Sequence, residues 1–135
     1  MNAPVQSFLA FDWGKLRVGI ASGNTLLKTA QGVATLTQQG LARDQAIQKL
    51  VKEWRPHALV AGVPYHPDGA PHKNTKLAKA FAQGLRDLTG LTVHEVDERY
   101  STTEAKADNP SAREKKLDAL SACIILEQYM RSLPE

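Results

Sequence analysis

Phe8-Leu9-Ala10-Phe11, followed at once by Asp12, constrains this fold more than any other stretch. Four apolar residues in a row leave no polar side for water, so a strand here belongs inside a sheet covered on both faces. Trp13-Gly14-Lys15 then reads as a turn, with Gly14 able to take a positive φ. Leu16 to Ala21 returns as a partner strand with Leu16, Val18 and Ile20 on one face. Taken alone, Asp12 is a turn-forming aspartate. It becomes a chemical group only if other acids converge on the same point.

The rest of the chain supplies layers for that sheet. Asn24 to Thr37 reads as a third strand, completing an antiparallel meander. Leu41 to Trp54 has helical spacing, with Ile47, Leu50, Val51 and Trp54 inward, and Arg55-Pro56 stops it. Ala58 to Val63 is a continuous apolar run, read as a buried parallel strand closed by Pro64. The turn-rich loop Tyr65-His66-Pro67-Asp68-Gly69 leads to a helix over His72 to Leu88, with Leu77, Phe81, Leu85 and Leu88 inward. Lys73, Lys76, Lys79 and Arg86 share its other side, as a solvated face or a nucleic-acid contact. Leu91 to Val96 is a last strand, ending in Asp97-Glu98-Arg99. Two capping boxes, Ser101 to Glu104 and Ser111 to Glu114, precede a final helix over Ala112 to Arg131, with Leu117, Leu120, Ile124 and Ile125 inward. This order predicts an α/β fold with a mixed five-stranded sheet, a three-strand antiparallel meander plus two parallel strands, flanked by helices.

A length of 135 residues fits one domain over 1–135, with residues 1–6 as a frayed arm. No apolar run reaches the ~20 residues that span a bilayer, and Met1 to Gln6 lacks the features of a signal peptide, so the expected location is the cytoplasm. The one cysteine, Cys123, sits among apolar residues as a small hydrophobe, and there is no Cys/His set for zinc. A net charge of +3 permits nucleic-acid binding through local patches without demanding it. No phosphate-loop or G-x-G-x-x-G pattern is present.

Sites in sheets with parallel strands gather at the carboxyl ends of those strands. Asp12 ends the first strand and Asp97-Glu98 the last. Asp118, near the start of the final helix, shares a line with Ala122, Ile125 and Tyr129 at ~100° per residue. It is either a dipole-stabilising acid or a member of the site. Carboxylates held close repel one another, and a divalent cation relieves that repulsion. Mg²⁺ and Mn²⁺ favour carboxylate and water oxygens, and a pair of such ions supports in-line attack on phosphodiesters.

Four groups in order, Asp12-x-Gly14-x-x-Arg17-x-Gly19, Gly62-x-Pro64 with Asp68-Gly69, Asp97-Glu98-Arg99-x-x-Thr102-Thr103-Glu104-Ala105 and Leu117-Asp118-Ala119-Leu120, resemble the YqgF/RuvX family. That family comprises Holliday junction resolvases, also named pre-16S rRNA nucleases, with a ribonuclease H-like fold. The resemblance runs from Phe8 to Tyr129. It implies a metal-dependent endonuclease with Asp12, Glu98 and Asp118 as catalytic and metal-holding acids, Asp97 as an additional acid, and Mg²⁺ or Mn²⁺ in a two-metal site. Asp97 and Glu98 point opposite ways along a strand, so an ion pair of Asp97 with Arg17 or Arg99 is the other reading. Lys15, Arg17, Arg99, Lys73 and Lys76 would contact substrate phosphate, beside a loop holding Gly14, Gly62, Pro64, Tyr65 and His66. His66 or His72 either assists a leaving group or is an exposed loop residue. The implied partners are branched DNA or precursor rRNA, with ribosomal particles as further partners and the chain as monomer or homodimer. Ser22-Gly23-Asn24 stands where the family carries an acid. Two rivals are a relative of actin-like ATPases and a nucleic-acid- or ribosome-associated module without catalysis.

Overall fold

The structure, a computed structural model, describes residues 4–66, 68–71, 73–98 and 112–134, with side chains of the last segment described from Asp118. Chain order is β1 (Ser7–Trp13), β2 (Val18–Asn24), β3 (Ala30–Leu36), α1 (Gly40–Trp54), β4 (Ala58–Val63), α2 (Thr75–Thr89), β5 (Val93–Asp97) and α3 (Ala112–Ser132). The sheet runs β3-β2-β1-β4-β5. β1 pairs antiparallel with β2, and β2 with β3; β1 pairs parallel with β4, and β4 with β5. The Asp12 strand is therefore central, with partners on both edges. This is the expected mixed five-stranded α/β fold.

Alternation along β1 sorts the core into two layers. Leu9 and Phe11 face Ile47 of α1 and Phe81, Ala82 and Leu85 of α2. Phe8 and Ala10 face Ile125, Leu126 and Met130 of α3. β4 divides likewise, with Leu59 and Ala61 on the first face and Ala58 and Val60 on the second. Both strands are buried on both faces because the helices leave neither side to water.

Several expected contacts fall elsewhere. β2 begins at Val18, and Leu16 lies exposed in the turn. Gly14 has no positive φ; its constraint is space, since a Cβ there would sit 2.8 Å from the Arg17 carbonyl oxygen. Trp54, Leu77, Leu120 and Ile124 are exposed, while Ala78, Ala82 and Ala122 are buried. α2 and α3 turn alanines inward because they lie close to the sheet. Gln6 is held rather than frayed: its N–H donates to Thr25 Oγ1 and its carbonyl accepts from the Thr25 N–H. Leu117, His72, Arg99 and both capping boxes fall outside the described side chains. No described helix is long and apolar enough to cross a membrane.

Candidate active site

Parity along the strands decides which acids can meet. Asp12 follows Phe8 and Ala10 onto the α3 face, at the carboxyl end of β1. In β5, Val96 faces α3, and Glu98, two residues on, falls on that side. The Glu98 N–H donates to the Val63 carbonyl at 2.9 Å, extending the β4–β5 ladder by one residue and fixing the backbone that carries the acid. Its carboxylate lies directly over Gly62: a Cβ built on Gly62 would sit 2.5 Å from the Glu98 carboxylate. Asp118 enters from α3 itself. The three side chains thus share one face and one end of the sheet, and all are buried, Asp12 2% exposed, Glu98 8% and Asp118 1%.

Asp118 reaches that end because α3 presses against bare backbone. Gly19 is the register partner of Asp12 on β2. A Cβ on Gly19 would come within 2.0 Å of the Asp118 carbonyl oxygen, so only glycine lets the helix sit there. Ala21, next on the same face, packs on Ala122 and Cys123.

Arg17 has the same parity as Gly19 and points to the same side. Its Nε donates to Asp118 Oδ2 at 2.5 Å, and Arg17 is 3% exposed. Arg17, expected to contact phosphate, is a buried guanidinium engaged with a buried carboxylate. A pair this deep persists because each charge offsets the desolvation of the other. Of the two ion-pair partners offered for Asp97, Arg17 bonds here to Asp118 and Arg99 lies outside the described residues. Asp97 is exposed and has the opposite parity to Glu98, turned towards the α2 side. Among the described residues, no three His, Cys, Asp or Glu groups are gathered at metal-ligating spacing. The three acids share a face without forming a closed ligand set, and Asp118 is held by an arginine.

The donor chemistry nevertheless fits a hard divalent ion, since Asp12, Glu98 and Asp118 all offer carboxylate oxygens. Asp12 and Glu98 could hold such an ion, and Asp118 could join them by exchanging its arginine for it.

The expected basic path is divided. Lys15, Lys73 and Lys76 are exposed. Lys79 and Arg86 instead pair with Glu95 of β5, at 3.2 and 3.1 Å. Hydrogen bonds to Glu95 and Tyr65 raise the Lys79 pKa above 10.5. Burial pushes the Glu95 carboxyl up, but Arg86 and Lys79 together outweigh it and leave the pKa below 4.5. Sequence reading missed Glu95, whose signal was its parity on β5 opposite a basic helix. The Pro64–Pro71 loop is internally tied. Tyr65 bridges to Pro71, the His66 N–H donates to the Ala70 carbonyl at 2.9 Å, and the Ala70 N–H donates to Asp68 Oδ1 at 2.9 Å. Thr75 Oγ1 donates to the Pro64 carbonyl, anchoring α2 beside Gly62. His66 is exposed.

Comparison with known proteins fits this architecture. A chain from Polaromonas sp. (strain JS666 / ATCC BAA-500), named "Putative pre-16S rRNA nuclease", is 54% identical over 134 residues, covering 99% of this chain and 94% of that one. One from Albidiferax ferrireducens with the same name is 53% identical, covering 97% of this chain and 81% of its own length. Among solved structures, Thermus thermophilus RuvC in complex with a Holliday junction substrate superposes with a TM-score of 0.55 at 12% identity, covering 94% of each chain. That likeness shows the fold to be ribonuclease H-like. The sequence profile of the RuvX family, described as Holliday junction resolvase, matches residues 6–132, and the chain belongs to that family.

Proposed function

We propose that this chain is a divalent-metal-dependent endonuclease in which Asp12, Glu98 and Asp118 hold the metal and the substrate is structured nucleic acid, in the first place the 5′ end of precursor 16S rRNA. The observation that carries the reading is the arrival of three buried carboxylates from two strand ends and one helix on one face of the sheet. Hydrolysis of phosphodiester bonds is the activity of its family, and the names of the relatives at 54% and 53% identity support the ribosomal substrate. The family description supports a second reading, cleavage of four-way DNA junctions.

Bound Mg²⁺ or Mn²⁺ would supply an acidified water and stabilisation of the leaving oxygen. The chain's own residues do the rest. Asp12, on the central strand, would be the central ligand. Glu98 is aimed by the backbone ladder and by the clearance over Gly62. Lys15, Lys73 and Lys76 offer exposed cations for phosphate at the same end of the sheet. Asp97 faces the other way and takes no part in holding metal.

The test is cleavage of a synthetic four-way junction and of a structured RNA with the native 5′ extension, side by side in Mg²⁺ and Mn²⁺. Trimming of the RNA, lost in Asp12→Asn, is the expected result. Junction cleavage alone selects the second reading. Cleavage by Asp12→Asn at the wild-type rate, or ATP binding with no cleavage of either substrate, refutes the assignment.

A further inference from the structure

We infer that the groove between α1 and α2, on the face of the sheet opposite the acids, is a subsite for one unpaired nucleobase of the substrate; this rests on the nucleic-acid reading above. The groove encloses about 570 Å³, within the range of sites that take small planar molecules. Its floor is apolar, with Ile47 and Phe81 both buried. Its wall is Trp13, half-buried and next in the chain after Asp12. Successive strand residues point to opposite faces, so the strand that turns the Asp12 carboxylate to α3 turns the indole to α1 and α2. The two Cα atoms are ~3.8 Å apart. A strand that crosses the end of the sheet can therefore pass from the Asp12 face to the Trp13 face at this point in the chain.

The polar groups match a base rather than bare phosphate. The Arg43 guanidinium lies 5.3 Å over the Phe81 ring. Its Nε is buried and makes no hydrogen bond among the described residues. A ring nitrogen or carbonyl of a base seated in the groove would give that donor an acceptor. Asp44 also lines the groove and offers an acceptor for an exocyclic amino group, where a pure anion site would exclude it. Lys15 is exposed at the rim for the adjoining phosphate. The rim is fixed in advance, since the Gln39 side-chain amide donates to the Leu16 carbonyl at 3.0 Å and ties the turn to the head of α1. Unpaired bases stack on aromatic rings and guanidinium planes, and such stacking tolerates any base.

Trp54→Phe leaves Trp13 as the single tryptophan of the chain, so its emission reports the groove. The protein is titrated in EDTA, which prevents cleavage, with a short single-stranded oligonucleotide and with an abasic oligomer of equal length. The base-bearing strand should quench Trp13 and the abasic one should not. Followed by the anisotropy of a labelled oligonucleotide, which does not depend on tryptophan, Arg43→Gln and Trp13→Ala should each weaken binding about tenfold or more, with Trp13→Phe close to wild type. Equal quenching by both oligomers overturns the inference, as does unchanged affinity in Arg43→Gln. A dimer seen by mass measurement and broken by Trp13→Ala would assign the groove to a second copy and overturn it too. If Trp13→Ala and Arg43→Gln bind and cleave like wild type, only the subsite falls. If the wild-type protein neither binds nor cleaves any nucleic acid, the nuclease reading falls with it.

Discussion

Replacing Arg17 by methionine probes the most strongly coupled contact in the site. The substitution keeps the apolar stem and removes the guanidinium, leaving the Asp118 carboxylate buried beside a neutral neighbour. Breaking a buried ion pair from one side costs about 3–5 kcal/mol. Unfolding entropy of about 2.1 cal/mol/K per residue over 135 residues gives roughly 280 cal/mol/K, so Tm in EDTA should fall by about 10–18 °C. Asp118→Asn in the Arg17→Met background should recover a large part of that loss, because it removes the uncompensated charge. Millimolar Mn²⁺ or Mg²⁺ should then separate the roles. A cation that takes the place of the guanidinium at Asp118 raises the Tm of Arg17→Met more than that of wild type, since it binds the folded state only. Calorimetric scans of the three proteins with and without metal measure all of this. An equal metal shift in wild type and Arg17→Met would refute the exchange and leave the pair as a structural brace.

Other outcomes follow from the same geometry. Asp12→Asn should reduce cleavage at least about a hundredfold while the protein stays folded, checked by single-turnover rates beside a thermal scan. Gly62→Ala places a Cβ where the Glu98 carboxylate and an Ile125 methyl now sit, both ends of movable side chains. It should therefore lower stability by only about 1–3 kcal/mol but cut the cleavage rate tenfold or more, as an acid displaced by about an ångström does. The Glu95 cluster stabilises the fold above about pH 4.5 and loses that contribution as pH falls through the lowered pKa. Its Lys79 arm is complete below 10.5 and is lost above it. Being largely exposed, the cluster is worth under about 1 kcal/mol, so the Tm gap between wild type and Glu95→Gln should be small at pH 7 and close towards pH 3. Burial, helped by Glu127, raises the Cys123 pKa, so iodoacetamide should label the native thiol far more slowly than the unfolded one at pH 8.

The sheet was legible because its strongest signals are local. Phe8 to Phe11 and Ala58 to Val63 are apolar without interruption, and only central strands bury both faces. The opposed directions of Asp97 and Glu98 followed from strand parity alone. Helix faces were less legible, because hydrophobicity ranks Leu above Ala while contact distance here favours Ala. Leu77, Leu120 and Ile124 are exposed where Ala78, Ala82 and Ala122 are buried. The partner of Arg17 was hidden by distance: Asp118 lies 101 positions away, and no pattern within either segment names the other. Trp13 gives no local sign of being a wall, because Gly14 beside it marks a turn and nothing in the segment names α1 or α2 as its neighbours.

The bare backbone at Gly19 has one further consequence. Main chain rests on main chain there, so the height of α3 above the sheet is set by atoms that have no rotamers to change. Core repairs and losses elsewhere, at Ile125 or Met130 for instance, can be absorbed by neighbouring side chains without altering that height. A single methyl at position 19 cannot be absorbed in this way. The spacing between strand acid and helix acid is therefore inherited from one missing side chain, and drift in the surrounding packing leaves it intact.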